Sequence, residues 1–159
     1  MELRQFMVDI RVKAPLMIID TYWDEKGKAI CPGALGLSHH INPYGDIEFC
    51  PPIQFAGETV GDGSDIANII ENSKFIGGMR KGINDCTQGC ILLDNPQELH
   101  NILKDVNAYD SSKRNTSFKE LNKMKPCAGH HIPGKEIAEK SWVYRFAKKH
   151  SFFGFGAYG

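Results

Sequence analysis

Apolar residues at Leu3, Phe6, Met7 and Ile10 recur three and four positions apart. That period predicts an amphipathic helix over residues 1–11 with this face packed inward. Pro15 bars its continuation, and Leu16 to Tyr22 reads as a strand, followed by a turn and a short strand in WDEKGKAI (23–30). Leu37–Asn42 and Asp46–Cys50 alternate as the two arms of a β-hairpin through Pro43-Tyr44-Gly45, where glycine supplies the positive φ of the turn. GETVGDGSD (57–65) reads as a loop, with Ser64 capping a helix over Asp65–Glu71. A second short helix is expected over Ser73–Arg80, weakened by Gly77 and Gly78. Asn95-Pro96-Gln97-Glu98 is a strong helix start: a capping Asn, Pro at the first position and Glu at the third. Leu99, Ile102, Leu103 and Val106 then repeat at helical spacing. Residues 107–134 are polar and turn-rich and read as a long irregular connection. Lys135–His150 reads as a further helix with Trp142, Val143, Phe146 and Ala147 as its apolar side. Strand, hairpin, then helices is the order of an α+β fold rather than a wound parallel sheet.

The 159 residues suffice for one domain, or one domain with a tail. Nineteen basic and nineteen acidic residues leave no net charge, which argues against a bulk electrostatic nucleic-acid binder. No apolar run approaches the ~20 residues that span a bilayer, and MELRQFMVDIRVK has no apolar signal core, so the expected compartment is the cytoplasm with no membrane partner. In that compartment five cysteines are not expected to form a disulfide framework. They are either small buried hydrophobes or soft ligands for zinc or an iron–sulfur cluster.

Their spacing favours ligation. Cys31 and Cys50 bracket the hairpin and are each followed by proline, Cys86 and Cys90 are separated by three residues, and Cys127 stands alone. Hairpin ends lie close together, and a Cys-x₃-Cys in a Gly-rich loop can turn both side chains inward, so four thiolates can meet at one centre. Zinc ribbons bring ligands in two close pairs, whereas only one pair is close here. The Cys-Pro dipeptides also match the ending of bacterial ferredoxin motifs, so the spacing leans toward a cluster.

The run Cys31, thirteen residues, Gly45, four residues, Cys50 resembles the opening of the SPASM pattern, the auxiliary-cluster domain at the C-terminal end of radical SAM enzymes. Cys86-x₃-Cys90 resembles the pattern's last close pair, and Cys127 sits where its final cysteine falls. The Cys-x₂-Cys that precedes that pair in the family is missing: FIGGMRKGIND (75–85) holds no cysteine. The chain therefore looks more like the shorter twitch relatives, over roughly Lys13 to Val106. The resemblance implies one auxiliary [4Fe–4S] cluster held by Cys31, Cys50, Cys86 and Cys90, with Cys127 a spare or a substitute for one of the pair. It implies a remnant of the end of a radical SAM partial barrel over 1–24, a hairpin-centred cluster domain with flanking helices over 25–110, and a C-terminal helical extension with an aromatic, Gly-rich tail over 111–159. The Cys-x₃-Cys-x₂-Cys motif of the radical SAM core is absent from these residues. The chain is accordingly expected to be a C-terminal piece that does not itself cleave S-adenosylmethionine, a cofactor only of the full-length enzyme. Its expected partners are the missing barrel and a substrate, peptide or small molecule.

Other polar residues weigh less. His39-His40 and His130-His131 can ligate metals or move protons, but each is read first as a surface or hydrogen-bonded residue. In a strand at most one of His39 and His40 faces the cluster side. Asp20, Tyr22, Trp23 and Asp24 follow the first strand; Asp20 or Asp24 touching substrate is set behind a turn with capping aspartates. GETVGDGSD lacks the spacing and lysine of a phosphate loop. The four aromatics of FFGFGAYG suit docking in a groove. The contrasting readings are a structural Cys₄ zinc domain that mediates binding without catalysis, and a plain globular piece with buried thiols.

Overall fold

A computed structural model describes residues 2–16, 18, 23–24, 26–29, 31–61, 65–86, 89–127 and 134–150, with backbone alone at Cys86 and Lys148. In chain order the elements are α1 (Glu2–Lys13), β1 (His40–Ile41), β2 (Asp46–Cys50), β3 (Ile53–Thr59), α2 (Ile66–Asn72), α3 (Lys74–Cys86), α4 (Ile91–Asp94), α5 (Pro96–Asp105), β4 (Tyr109–Asp110), α6 (Ser117–Leu121) and α7 (Trp142–His150). Helices with a four-stranded antiparallel sheet make this an α+β protein. By contacts the chain divides into two compact units, residues 1–31 with 129–159, and residues 32–128. No helix among the described residues is long and apolar enough to cross a membrane.

The second unit is built on the sheet, in the order β1-β2-β3-β4. The hairpin forms where expected, with His40 opposite Glu48 and Ile41 opposite Ile47. Gly45 takes φ +83°, and Asn42 Oδ1 closes the turn by accepting the amides of Tyr44 and Asp46. Its first arm is shorter than Leu37–Asn42, because only His40 and Ile41 pair. The segment 57–65 is not wholly a loop. β3 runs to Thr59, paired to β2 through Cys50–Ile53 and Asp46–Thr59 and to β4 through Ala56–Tyr109. Gly57 is in that strand because a Cβ there would stand 2.7 Å from the Cβ of Phe75, so its absence lets α3 lie close on the sheet. β4 and α6 give regular structure to the stretch after residue 107 that composition alone reads as irregular.

α2 is capped by Asp65, whose Oδ1 accepts the Asn68 amide; Ser64 lies outside the described residues. Ser73 starts α3 by accepting the Ile76 amide, and α3 continues six residues past Arg80 to Cys86. Asn95 and Pro96 start α5 as expected, with Asn95 Oδ1 accepting the Glu98 amide. Phe75, Ile76, Met79 and Ile83 of α3, Leu99, Ile102 and Leu103 of α5, and Ile47, Phe49, Ile53 and Phe55 of the sheet are the buried apolar residues of this unit's core.

In the first unit α1 forms, but it buries Arg4, Val8 and Arg11 while Leu3 and Phe6 are each 59% exposed. The cause is Glu139, itself buried, which receives Arg11 Nη1 at 2.8 Å and stands 3.5 Å from Arg4 Nη1. The guanidinium groups also stack: that of Arg4 lies over Trp23 and that of Arg11 over Tyr144, 3.9 Å from its ring centre. The last helix begins at Trp142 rather than Lys135, since Ser141 caps it by accepting the Tyr144 amide while Glu139 Oε1 accepts the amides of Lys140 and Ser141. Tyr144 and Ala147 are its buried side; Trp142, Val143 and Phe146 are exposed. The strand expected over Leu16–Tyr22 falls largely outside the described residues. The 23–30 turn is present as a bridge between Trp23 and Ala29, with Gly27 at φ +86°.

Candidate functional site

Cys31 closes the first unit along the chain and is half-buried. The turns that follow it seat Gly33 so closely on Phe49 that a Cβ would meet the ring at 2.6 Å. Cys50 ends β2, half-buried, directly opposite Ile53. Cross-strand partners share a face of the sheet. Ile53 lines a small cleft of about 100 Å³ together with Leu92, Phe55, Leu121 and Met124, so the Cys50 end of the hairpin and the start of α4 are neighbours.

The segment from 86 to 90 differs from expectation. Cys86 is the last residue of α3 rather than part of a loop, and its side chain lies outside the described residues. Cys90 directly precedes α4, its carbonyl accepting the amides of Leu93 and Asp94 at 3.0 and 2.8 Å. Burial pushes the Cys90 thiol up, the Leu93 and Leu92 amides pull it back, and the charges of Asp94 and Cys127 push it up again. Cys127 is exposed, and it reaches the same place from the far side. Its amide donates to the Leu93 carbonyl at 3.0 Å, and its thiol lies 3.6 Å from that oxygen. One residue, Leu93, thus donates its amide to the Cys90 carbonyl and accepts from Cys127 at its own carbonyl. Among the described residues no group of three or more His, Cys, Asp or Glu side chains is gathered as a metal would need. What the fold does bring together is the backbone of Cys90 and Cys127 at Leu93, with Cys86 no more than roughly 14 Å along the chain from Cys90.

The two histidines of the hairpin diverge as a strand requires. His40 Nδ1 stands 2.8 Å from Glu48 Oε2, while His39 Nε2 accepts from Arg80 Nη2 at 2.9 Å. Burial, and then the Arg80 charge, hold His39 below the usual imidazole range, so its Nε2 is the acceptor of a neutral ring. Asp24 accepts the amides of Lys26 and Lys28 and is a turn residue. Asp20, Tyr22, His130 and His131 lie outside the described residues.

A polar cluster on the sheet was not anticipated. Asp46 accepts from Asn42, Thr59, Tyr109 and Lys113, and Glu48 from Asn42 and the fully buried Ser111. Burial alone would raise the Asp46 pKa; its hydrogen bonds outweigh that and hold the carboxyl below the usual range. The signal in the sequence is Asp46-x-Glu48, two carboxylates on one face of a strand. Every carboxylate oxygen here is engaged, so the cluster joins the hairpin to the 109–113 segment rather than offering an open site.

No family model, curated protein or solved structure matches this chain.

Proposed function

We propose that this chain is the auxiliary-cluster domain of a radical SAM enzyme, binding one [4Fe–4S] cluster through four of its five cysteines. The resemblance assigns Cys31, Cys50, Cys86 and Cys90. The observation that supports the reading is the meeting of Cys90 and Cys127 at Leu93, beside the strand end that carries Cys50. Thiolates are the donor set such a cluster takes, and half-burial restricts water around Cys90 and Cys50.

Were a cluster held by these thiolates, it would supply electron transfer to or from a substrate radical, or help to hold the substrate. The chain's own part is to position thiolates. Burial holds the Cys90 thiol above its usual range, and the amides of Leu93 and Leu92, which hydrogen-bond its sulfur, offset part of that. The proline after Cys50 forms part of the short turn into β3, where it leaves no N–H to compete for the ladder. The reading places the chain in a reducing, cytoplasmic compartment with the barrel of the same enzyme as its partner.

The test is the iron, sulfide and zinc content of the full chain, purified and reconstituted without oxygen. About four irons and four sulfides per chain support one cluster. Zinc without sulfide replaces the reading by a Cys₄ zinc interaction domain, and a chain that takes up neither overturns both.

A further inference from the structure

We propose that the outward face of α7 is a contact surface for an anionic lipid bilayer, which it touches at the interface and does not cross; the inference does not rest on the cluster reading. α7 is apolar on two sides. Tyr144 and Ala147 are buried, with the Arg11 guanidinium over the Tyr144 ring, and they hold the helix to its own unit. Trp142, Val143 and Phe146 face the other way, with Trp142 71% and Phe146 60% exposed. Trp142 and Phe146 stand one turn apart, as do Phe146 and His150, whose rings are 4.9 Å apart, so the three form a stripe along the helix. A cleft of about 460 Å³ brings Val12 and Leu16, both exposed, beside Trp142 and Val143. Single exposed apolar side chains are ordinary, whereas a cluster that includes two large aromatics marks a binding surface.

Charge identifies the occupant. After Glu139 the chain carries four lysines and arginines, seven aromatics and no acidic residue. Arg145 and Lys149, one turn apart, are exposed alongside the apolar stripe. Lys140 is paired with Asp9 at 3.0 Å, but among the described residues no ion pair involves Arg145 or Lys149. A second copy set on this face by a two-fold axis would bring two such cationic rims together. A nucleic acid would satisfy the cations, yet Val12, Leu16 and Val143 offer it neither stacking nor hydrogen bonds. The surface of an anionic bilayer suits both parts: Trp and Phe sit at the boundary with the acyl chains, and Lys and Arg meet the headgroups. No helix among the described residues is long and apolar enough to cross a membrane, and a surface contact needs none.

The experiment is flotation of the full chain with phosphatidylcholine vesicles, with and without about 30% phosphatidylserine. Expected is binding to the anionic vesicles and far weaker binding to the neutral ones. Tryptophan emission should shift to the blue on binding, a change that reports Trp142 because Trp23 is buried. Arg145→Gln and Lys149→Gln should each weaken binding about fivefold, and added salt should act in the same direction. Phe146→Ala should weaken it about tenfold. All three positions are exposed, and circular dichroism confirms the fold of each variant. No binding, equal binding to neutral vesicles, or binding left unchanged by Phe146→Ala or by both glutamine variants overturns the inference. So does self-association, or binding of an RNA oligonucleotide, that Phe146→Ala abolishes while vesicles are not bound; the face then belongs to a second copy or to a nucleic acid. Vesicle binding only by a chain ending at His150 shows that the chain's own last residues cover the face, and overturns it as well.

Discussion

Gly77 and Gly82 sit in the same helix and should answer the same substitution with opposite signs. A Cβ at Gly77 meets nothing within 4 Å, and the position is exposed. Gly77→Ala therefore gains helix propensity alone and stabilises by about 0.4–1 kcal/mol. A Cβ at Gly82 would stand 2.1 Å from Ile102 Cδ1 and 3.0 Å from its Cγ1. Ordinary carbon contacts are about 3.5–4.0 Å, so Cδ1 has to retreat by more than about 1 Å in a packed core. Overpacking of that kind costs about 1–3 kcal/mol, which exceeds the ~1 kcal/mol of helix propensity gained, and Gly82→Ala destabilises by about 1 kcal/mol net. Ile102→Val deletes Cδ1 itself. Alone it costs about 0.5–1.5 kcal/mol; combined with Gly82→Ala it removes the clash, so the pair couples favourably by about 1–2 kcal/mol. Urea unfolding followed by far-UV circular dichroism measures all four species. Trp23 and Trp142, the only tryptophans, lie in the first unit and report that unit separately by fluorescence. If Gly82→Ala stabilises as much as Gly77→Ala, or the double variant shows no coupling, then α3 does not pack on α5 in this register.

Glu139→Ala strands the buried guanidinium of Arg11 and should cost about 3–5 kcal/mol, seen as a lower urea midpoint in tryptophan emission. Asp46 and Asp110 have folded pKa values below their unfolded ones despite burial. Their contribution is fully present above about pH 4 and is lost as pH falls through the folded values, so Asp46→Asn should flatten the acid limb of stability against pH. Arg80→Gln removes the charge facing His39 while burial remains, so the His39 pKa should rise toward, yet stay below, its ordinary value; NMR titration of the ring protons measures it, and an unmoved pKa refutes the contact.

Local chemistry was legible in the chain where neighbours in sequence decide the structure. Gly45, Asn95 and Pro96 act within four residues of themselves, and their turn and cap form as the residue types dictate. The face of α1 was not legible, because its arginines turn inward for Glu139, well over a hundred residues away. Periodicity records which residues are apolar; it carries no information about a distant carboxylate that makes burying Arg11 cheaper than burying Phe6. Glycines misled in the same manner. Gly57, Gly78 and Gly82 read as punctuation, yet each marks a place where Phe75, Val106 or Ile102 comes too close for a side chain.

Spacing alone singles out Cys50 and Cys90 as candidates, whereas the position of Cys127 depends on a chain of tertiary contacts. β4 pairs with β3 through Tyr109 and Asp110. Asp110 then accepts from the amides and hydroxyls of both Ser112 and Ser117, which fixes the start of α6. Phe118 of α6 packs on Phe55 of the sheet, 4.6 Å between ring centres, and Leu121 is buried one turn later. From there six residues lead to the Leu93 carbonyl and Cys127. The buried carboxylates of Asp46 and Glu48 anchor the same segment through Tyr109, Ser111 and Lys113. The polar cluster, which holds no open site of its own, and the meeting of Cys90 and Cys127 at Leu93 are thus two ends of one arrangement. The satisfied hydrogen bonds at one end are what deliver an exposed cysteine, in a fixed position, to the other.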